Sequence, residues 1–217
     1  FLGRDVYART IYGSRISLMV GGAVAVISTG IGLCIGLVAG YVRWVDAIVM
    51  RIMDGLMAIP GVLLAIALIS LAGASLINVI IAITIPEIPR VVRLVRSVVL
   101  TIREQPYVEA AISVGSPLPK ILFKHILPNT VAPLIVQATY VCASAVVIEA
   151  ILSFLGAGTP PEIPSWGNIM AEGRTYFQIA PWIIFFPGVM LAITVLAVNI
   201  LGDGLRDSLD PRIARRM

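Results

Sequence analysis

The 217-residue chain is 59% hydrophobic and 13% charged, with a mean hydropathy of +0.98. A soluble domain has roughly half apolar and a quarter charged residues, so this balance excludes one and predicts a polytopic membrane protein. The net charge of +4 comes from basic residues lying between apolar runs, which fits membrane topology better than a nucleic-acid surface.

The apolar runs leave little chain from which to build a soluble domain, so a single all-α transmembrane bundle over residues 1–217 is expected. The chain begins with Phe1, and no charged-then-apolar signal segment precedes the first apolar run. Five spans are predicted, at about Ile16–Val42, Met53–Ala72, Leu76–Leu100, Val131–Leu155 and Trp182–Leu201. The first is longer than the hydrocarbon core and must tilt or project. Within it Gly32, Gly36 and Gly40 recur every four residues, which serves either ordinary bundle packing or a contact with another subunit. Arg4, Arg9 and Arg15 precede this span together and suggest a helix lying along the interface. The third span turns polar after Pro86, where Glu87, Pro89, Arg90, Arg93 and Arg96 require protein, water or the interface as neighbours.

Counting basic residues on alternate sides sets the orientation. One side carries Arg43, Arg51, Arg90, Arg93, Arg96, Arg103, Lys120, Lys124, Arg206, Arg212, Arg215 and Arg216, and the other only Arg4, Arg9, Arg15 and Arg174. The richer side is expected in the cytoplasm, together with the C-terminus. The chain start then lies outside, which implies one further span upstream.

Residues 103–128 form the polar interruption between the third and fourth spans. Pro106 suits a first helical turn, Val108–Val114 contains no breaker, and Gly115 suits a left-handed helix end. A second helix is expected with Ser116 as cap and Pro117 in its first position, carrying an apolar stripe of Leu118, Ile121, Leu122 and Ile126. Pro128 marks the approach to the next span. The segment reads either as a rigid knob passing motion to a soluble partner or as an amphipathic loop on the bilayer surface.

Glu149 sits deep in the fourth span, where a carboxylate is costly. It and Glu87 are candidates to line a translocation path; the competing role is a structural hydrogen bond within the bundle. After the fourth span, Ser165 is expected to cap a short outer helix with Trp166, Ile169, Met170, Tyr176 and Phe177 as interfacial aromatic and apolar anchors or a docking surface. Cys34 and Cys142 lie in apolar runs and are expected to be buried, unpaired side chains. There is no G-x-x-x-x-G-K-[ST] loop, no Cys-x-x-Cys and a single histidine, His125, so neither an ATP site, a metal site nor an enzyme active site is expected on this chain.

Glu109-Ala110-Ala111, three residues, Gly115, and the closing Leu127-Pro128 resemble the EAA loop of permease subunits of binding-protein-dependent ATP-binding-cassette importers. His125 departs from that pattern, in which its place is often apolar. Leu2-Gly3-Arg4-Asp5, Ala58-Ile59-Pro60, Leu152–Gly156, Pro164-Ser165-Trp166-Gly167, Gly202–Asp207 and Leu209-Asp210-Pro211-Arg212 extend the likeness over nearly the whole chain, toward the dipeptide, oligopeptide and nickel branch. The resemblance implies a multi-pass permease of a bacterial or archaeal inner membrane, with five of six family spans present. It implies a second permease subunit, two ATPase subunits that bind ATP and Mg, an external binding protein and a peptide substrate. It also makes Glu109, Ala110, Ala111, Gly115, Leu127 and Pro128 the contact to the ATPase. The readings to be set against it are a proton-coupled secondary transporter or channel, with Glu87 and Glu149 carrying protons, and a membrane scaffold without transport.

Overall fold

The computed structural model describes residues 5–209. Leu2-Gly3-Arg4 and the stretch from Asp210 onward, including Arg212, Arg215 and Arg216, lie outside the described residues. Those described are mostly helical, as expected where hydrocarbon offers no partner for free backbone groups, with one longer connection between Phe154 and Trp166.

Helix α1 (Val6–Tyr41) starts at Asp5, whose carboxylate accepts from the Tyr7 and Ala8 N–H groups at 2.9 and 3.2 Å. Its 36 residues span about 54 Å, ten residues more at the outset than the sequence suggests. Arg9 and Arg15 are therefore part of the spanning helix itself and not of a separate interfacial one. Val42 breaks the run, and α2 (Arg43–Met57) and α3 (Gly61–Ala72) follow with an 86° bend between them. The second predicted span is thus broken at Ala58–Pro60. Pro60 has no N–H to give the helix, so the ladder stops before it and restarts at Gly61.

Gly73, at φ 84°, ends α3, and Ser75 caps α4 (Leu76–Arg103). The Asn78 amide closes this turn by donating to the Ala72 and Gly73 carbonyls, each at 2.9 Å. Helix α4 continues through Pro86 and Pro89 for 28 residues. After α5 (Pro106–Ser113), a turn of helix α6 (Leu118–Lys120) and a π segment (Ile121–Ile126) run directly into α7 (Leu127–Phe154). Helices α8 (Trp166–Arg174) and α9 (Trp182–Leu209) complete the order.

Three stretches have the length and apolar composition to cross a membrane: α1, the Leu118–Phe154 rod, and α9. The bent α2–α3 pair makes a fourth if taken as one span. The predicted five also include α4, which its one glutamate and four arginines keep out of this set and which needs protein or water beside its charged half.

Helix α1 is the hub, packing on α4 along one side and α7 along another, while α9 lies on the outside of α7. The glycine periodicity of α1 is spent on α4. A Cβ at Gly32, Gly36 or Gly40 would come within 2.5–2.7 Å of Val91, Val95 or Val99 respectively, so two four-residue repeats interlock. Only a missing side chain lets the two backbones come this close, and all three valines are fully buried. Buried hydroxyls on these helices, such as Thr29, Thr84 and Thr130, donate back to carbonyls four residues earlier and so need no outside partner. Cys142 is half-buried, but Cys34 is exposed on α1, contrary to the expectation of two buried thiols. Position 34 lies off the glycine face that packs on α4.

Candidate functional site

Three regions carry the polar chemistry of the chain: the 103–128 segment at one end, the break between α2 and α3, and the buried surroundings of Glu149.

The 103–128 segment is a two-helix knob fixed at both ends. Pro106 takes the first position of α5, where its missing N–H costs nothing. The helix ends in a full Schellman turn. The Gly115 N–H donates to Ile112 O and the Ser116 N–H to Ala111 O, with Gly115 at φ 80°. The second helix starts one residue differently from expectation. Pro117 is its cap residue, in extended conformation, and Ser116 makes no cap bond. Pro128 falls in the first turn of α7, at the approach to the next span as expected. Just before it the ladder widens to π spacing, with the Leu127 N–H reaching Leu122 O. That wider turn carries the helix past a residue that has no N–H and would crowd the carbonyl four residues back.

Val108, Ile121, Leu122 and Ile126 turn inward and hold the knob on the bundle. Arg103 ties its root to α1, donating to Tyr41 O at 3.2 Å with its guanidinium 5.9 Å from the Tyr41 ring. Asn129 ties the far end, donating to the Tyr107 hydroxyl and to His125 O. His125 is half-buried beside the Tyr107 ring. On the outer surface, Glu109, Ala110, Gly115 and Pro128 are exposed, and Ala111 and Leu127 half-buried. Around them Tyr107, Ile112, Val114, Leu118 and Phe123 are also exposed, Val114 at 85%. Such a cluster of exposed apolar side chains on a polar segment has the composition of a protein-binding surface.

At the α2–α3 break, Glu87 is 2% exposed, and its Oε1 lies 3.5 Å from the Arg90 guanidinium. Its Oε2 has no hydrogen-bond partner, though Ser144 of α7 stands beside the carboxyl. A cavity of about 230 Å³ opens here, lined by Leu56, Met57, Pro60, Gly61, Glu87 and Arg90 among others. One turn further along α4, Arg93 meets Asp54 at 2.5 Å and Arg96 makes a two-pronged pair with Asp46, so α2 is strapped to α4 by ions.

Glu149 is fully buried and both its oxygens accept hydrogen bonds, Oε1 from Ser153 at 2.8 Å and Oε2 from Ser17 of α1 at 3.1 Å. The network continues outward. Thr159 bonds with Ser153 and donates to Ser165, and the Trp166 backbone N–H donates to Ser17. Ser165 caps α8 as expected, through the Asn168 N–H at 3.2 Å. The Asn168 amide nitrogen lies 3.0–3.2 Å from four oxygens of residues 159–163 and gathers that loop around itself. Gly167 sits so near Ser153 and Ala150 that a Cβ would be 2.6–2.8 Å from them. Trp166 and Ile169 are buried, with the Trp166 ring donating to Thr10 O, so they are core residues and not interfacial anchors. Tyr176 and Phe177 are exposed beyond the end of α8. Among the described residues no cluster of His, Cys, Asp or Glu is placed to hold a metal.

The sequence did not reveal the partners of Glu149, the Asp–Arg straps or the helix break. Of these only the break left a local signal, the Pro60-Gly61 pair in an apolar run.

Comparison with known proteins adds the family. Residues 32–215 match the family described as "Binding-protein-dependent transport system inner membrane component", and the chain belongs to it. It is the permease of a binding-protein-dependent importer, a multi-pass membrane protein. A probable peptide ABC transporter permease of Sinorhizobium fredii is 61% identical over 99% of this chain and 74% of its own length. The dipeptide permease DppC of Alkalihalophilus pseudofirmus is 44% identical over 97% and 70%, and the glutathione permease GsiD of Pectobacterium atrosepticum 44% over 98% and 71%. Among solved structures, an inward-facing MetNI methionine ABC transporter chain superposes with a TM-score of 0.70 over 93% of this chain and 96% of that one, at 22% identity. That likeness supports the fold. Family membership also sets aside the proton-coupled transporter and scaffold readings.

Proposed function

We propose that this permease forms part of the path for di- or oligopeptides and is driven by separate ATPase subunits that grip the 103–128 knob. The observation that carries the reading is the knob itself. It is a proline- and glycine-shaped element fixed to α1 and α7, whose outer face bears Glu109 and exposed apolar side chains. A rigid element rooted in two spanning helices transmits displacement without dissipating it in loop motion. Glu109, Ala110, Ala111, Gly115, Leu127 and Pro128 form the ATPase contact. ATP and Mg belong to those partners. A second permease completes the path, an external binding protein delivers the peptide, and the C-terminus and knob lie in the cytoplasm. Peptide as substrate rests on relatives named for peptide, dipeptide and glutathione transport.

Within this scheme Glu87, beside a cavity, faces the path, while Glu149 anchors the outer segment to α1 and α7. Closing the ATPases then rocks the helices, which takes several kcal/mol of differential contact energy to shift a two-state equilibrium decisively. Pull-down of the tagged full-length chain from native membranes tests the assembly: two ATPase subunits and a second permease are expected by mass. Glu109→Lys is expected to lose the ATPases and to reduce ATP-driven uptake at least tenfold. Unchanged association and uptake would remove the knob from the coupling role.

A further inference from the structure

We propose that the cavity at the α2–α3 break binds the amino end of a peptide in passage, with Glu87 Oε2 receiving its ammonium group; this rests on the peptide-importer reading above. The carboxylate is 2% exposed, and Oε2 makes no hydrogen bond among the described residues although the Ser144 hydroxyl stands beside the carboxyl, an arrangement that is costly unless something else fills the position. Its environment is negative in other ways. Helix α2 ends at Met57, so the carbonyls of its last turn and the negative end of its dipole face the break. Arg90 approaches only the other oxygen, Oε1, and is half exposed, so its charge is screened by solvent.

The other side of the break has the opposite polarity. Helix α3 begins at Gly61, and its first N–H groups are unpaired and point toward the break. A cation alone would use only half of this arrangement. An α-ammonium followed by a peptide carbonyl uses both halves, the ammonium on Glu87 and the α2 carbonyls, the oxygen on the α3 N–H groups. The same pairing of half-helix ends around a midplane ligand recurs in other transporters. At about 230 Å³ the cavity is smaller than the roughly 300–1,000 Å³ of drug-sized sites, which suits one terminal residue and leaves the rest of the peptide outside.

The test is equilibrium binding of radiolabelled dialanine to the purified complex of permeases and ATPases without the binding protein, so that discrimination reports the permease. Dialanine amidated at its carboxyl end is expected to compete as well as dialanine itself, and N-acetyl-dialanine about tenfold or more weakly. Glu87→Gln, nearly isosteric, is expected to bind dialanine as weakly as the parent binds the acetylated peptide, with subunit co-purification confirming assembly. Equal competition by the acetylated peptide, parental affinity in Glu87→Gln, or absence of saturable dialanine binding each overturns the proposal. Uptake with the binding protein present separates the two claims. If the parent transporter imports peptide while binding ignores the amino end, only this inference falls. If the parent imports no peptide, the substrate reading falls with it.

Discussion

The two polar segments at the ends of the bundle are built by opposite means. The 103–128 knob owes its shape to backbone devices: Pro106 opening α5, Gly115 closing it, Pro117 capping the next turn and a π segment leading past Pro128. Its side chains remain largely exposed. Residues 156–174 also carry such devices, the Gly156 turn at φ 82° and Pro160, Pro161 and Pro164, but they are held to the bundle by side chains buried around Glu149 and Asn168. A segment shaped by its backbone keeps its form while its surface stays free to meet a partner. A segment shaped by buried hydrogen bonds is welded to the bundle, and its form depends on residues far away in sequence, such as Ser17.

That contrast breaks most readily at Glu149. Glu149→Ala leaves the Ser17 and Ser153 hydroxyls buried without their acceptor and opens a void, at about 1–3 kcal/mol for each unsatisfied group. The expected total is about 3 kcal/mol or more, read as a lower unfolding midpoint in detergent and faster proteolysis of the 157–165 loop. Glu149→Gln keeps an acceptor and most of the volume, so it is expected to recover most of the loss. Equal loss in both would mean that the negative charge itself, and not the hydrogen bonds, holds the segment. Next in size are substitutions that push helices apart. Gly36→Val places a side chain against Val95, where even a Cβ would sit at 2.7 Å, and overpacking of this kind costs about 1–3 kcal/mol. The same change at Gly22, which has open space around its Cβ position, is the control and is expected to be close to neutral.

The division also explains what could be read in advance. The knob was legible because proline, left-handed glycine and apolar spacing are local signals, and only one detail, the Ser116 cap, came out differently. The α1 glycines announced a close helix approach, but the partner valines on α4 are some sixty residues away and spacing within α1 cannot name them. Trp166 and Ile169 were misplaced for the same reason. An aromatic beside a membrane edge has the same composition whether it faces lipid or fills a core, and only the fold brings Thr10 O to the Trp166 ring. Of the five predicted spans α4 is the one that length and composition do not single out, since an apolar helix half and a charged one average to an ambiguous whole. Arg93 and Arg96 are paired with Asp54 and Asp46 on α2, a helix whose place against α4 no local signal gives.

On the knob itself the effects are expected to be smaller in stability and larger in function. Gly115→Ala forces a Cβ into φ 80°, a cost of about 1–2 kcal/mol confined to one turn, with open space around the new methyl group. The unfolding midpoint should therefore move little, while ATP-driven uptake falls severalfold because α5 and the helix entering α7 no longer hold their mutual angle. A large fall in midpoint with uptake intact would show that the turn belongs to folding and not to coupling.

The smallest expected effect lies on the straps between α2 and α4. Asp54 and Arg93 are both well exposed at the side chain, and such pairs contribute about 0.2–1 kcal/mol. Arg93→Gln should leave stability nearly unchanged, and a conformational role would show only as a change in how α2 moves against α4. A pair of spin labels or fluorophores at Trp44 and Ser97, both exposed, would report it. If the distance distribution widens in Arg93→Gln, the strap holds the angle at the Ala58–Pro60 break, and with it the opening beside Glu87. If it does not, Asp46 and Arg96, the more enclosed pair, carry that constraint alone, and Arg96→Gln should be the variant that widens it.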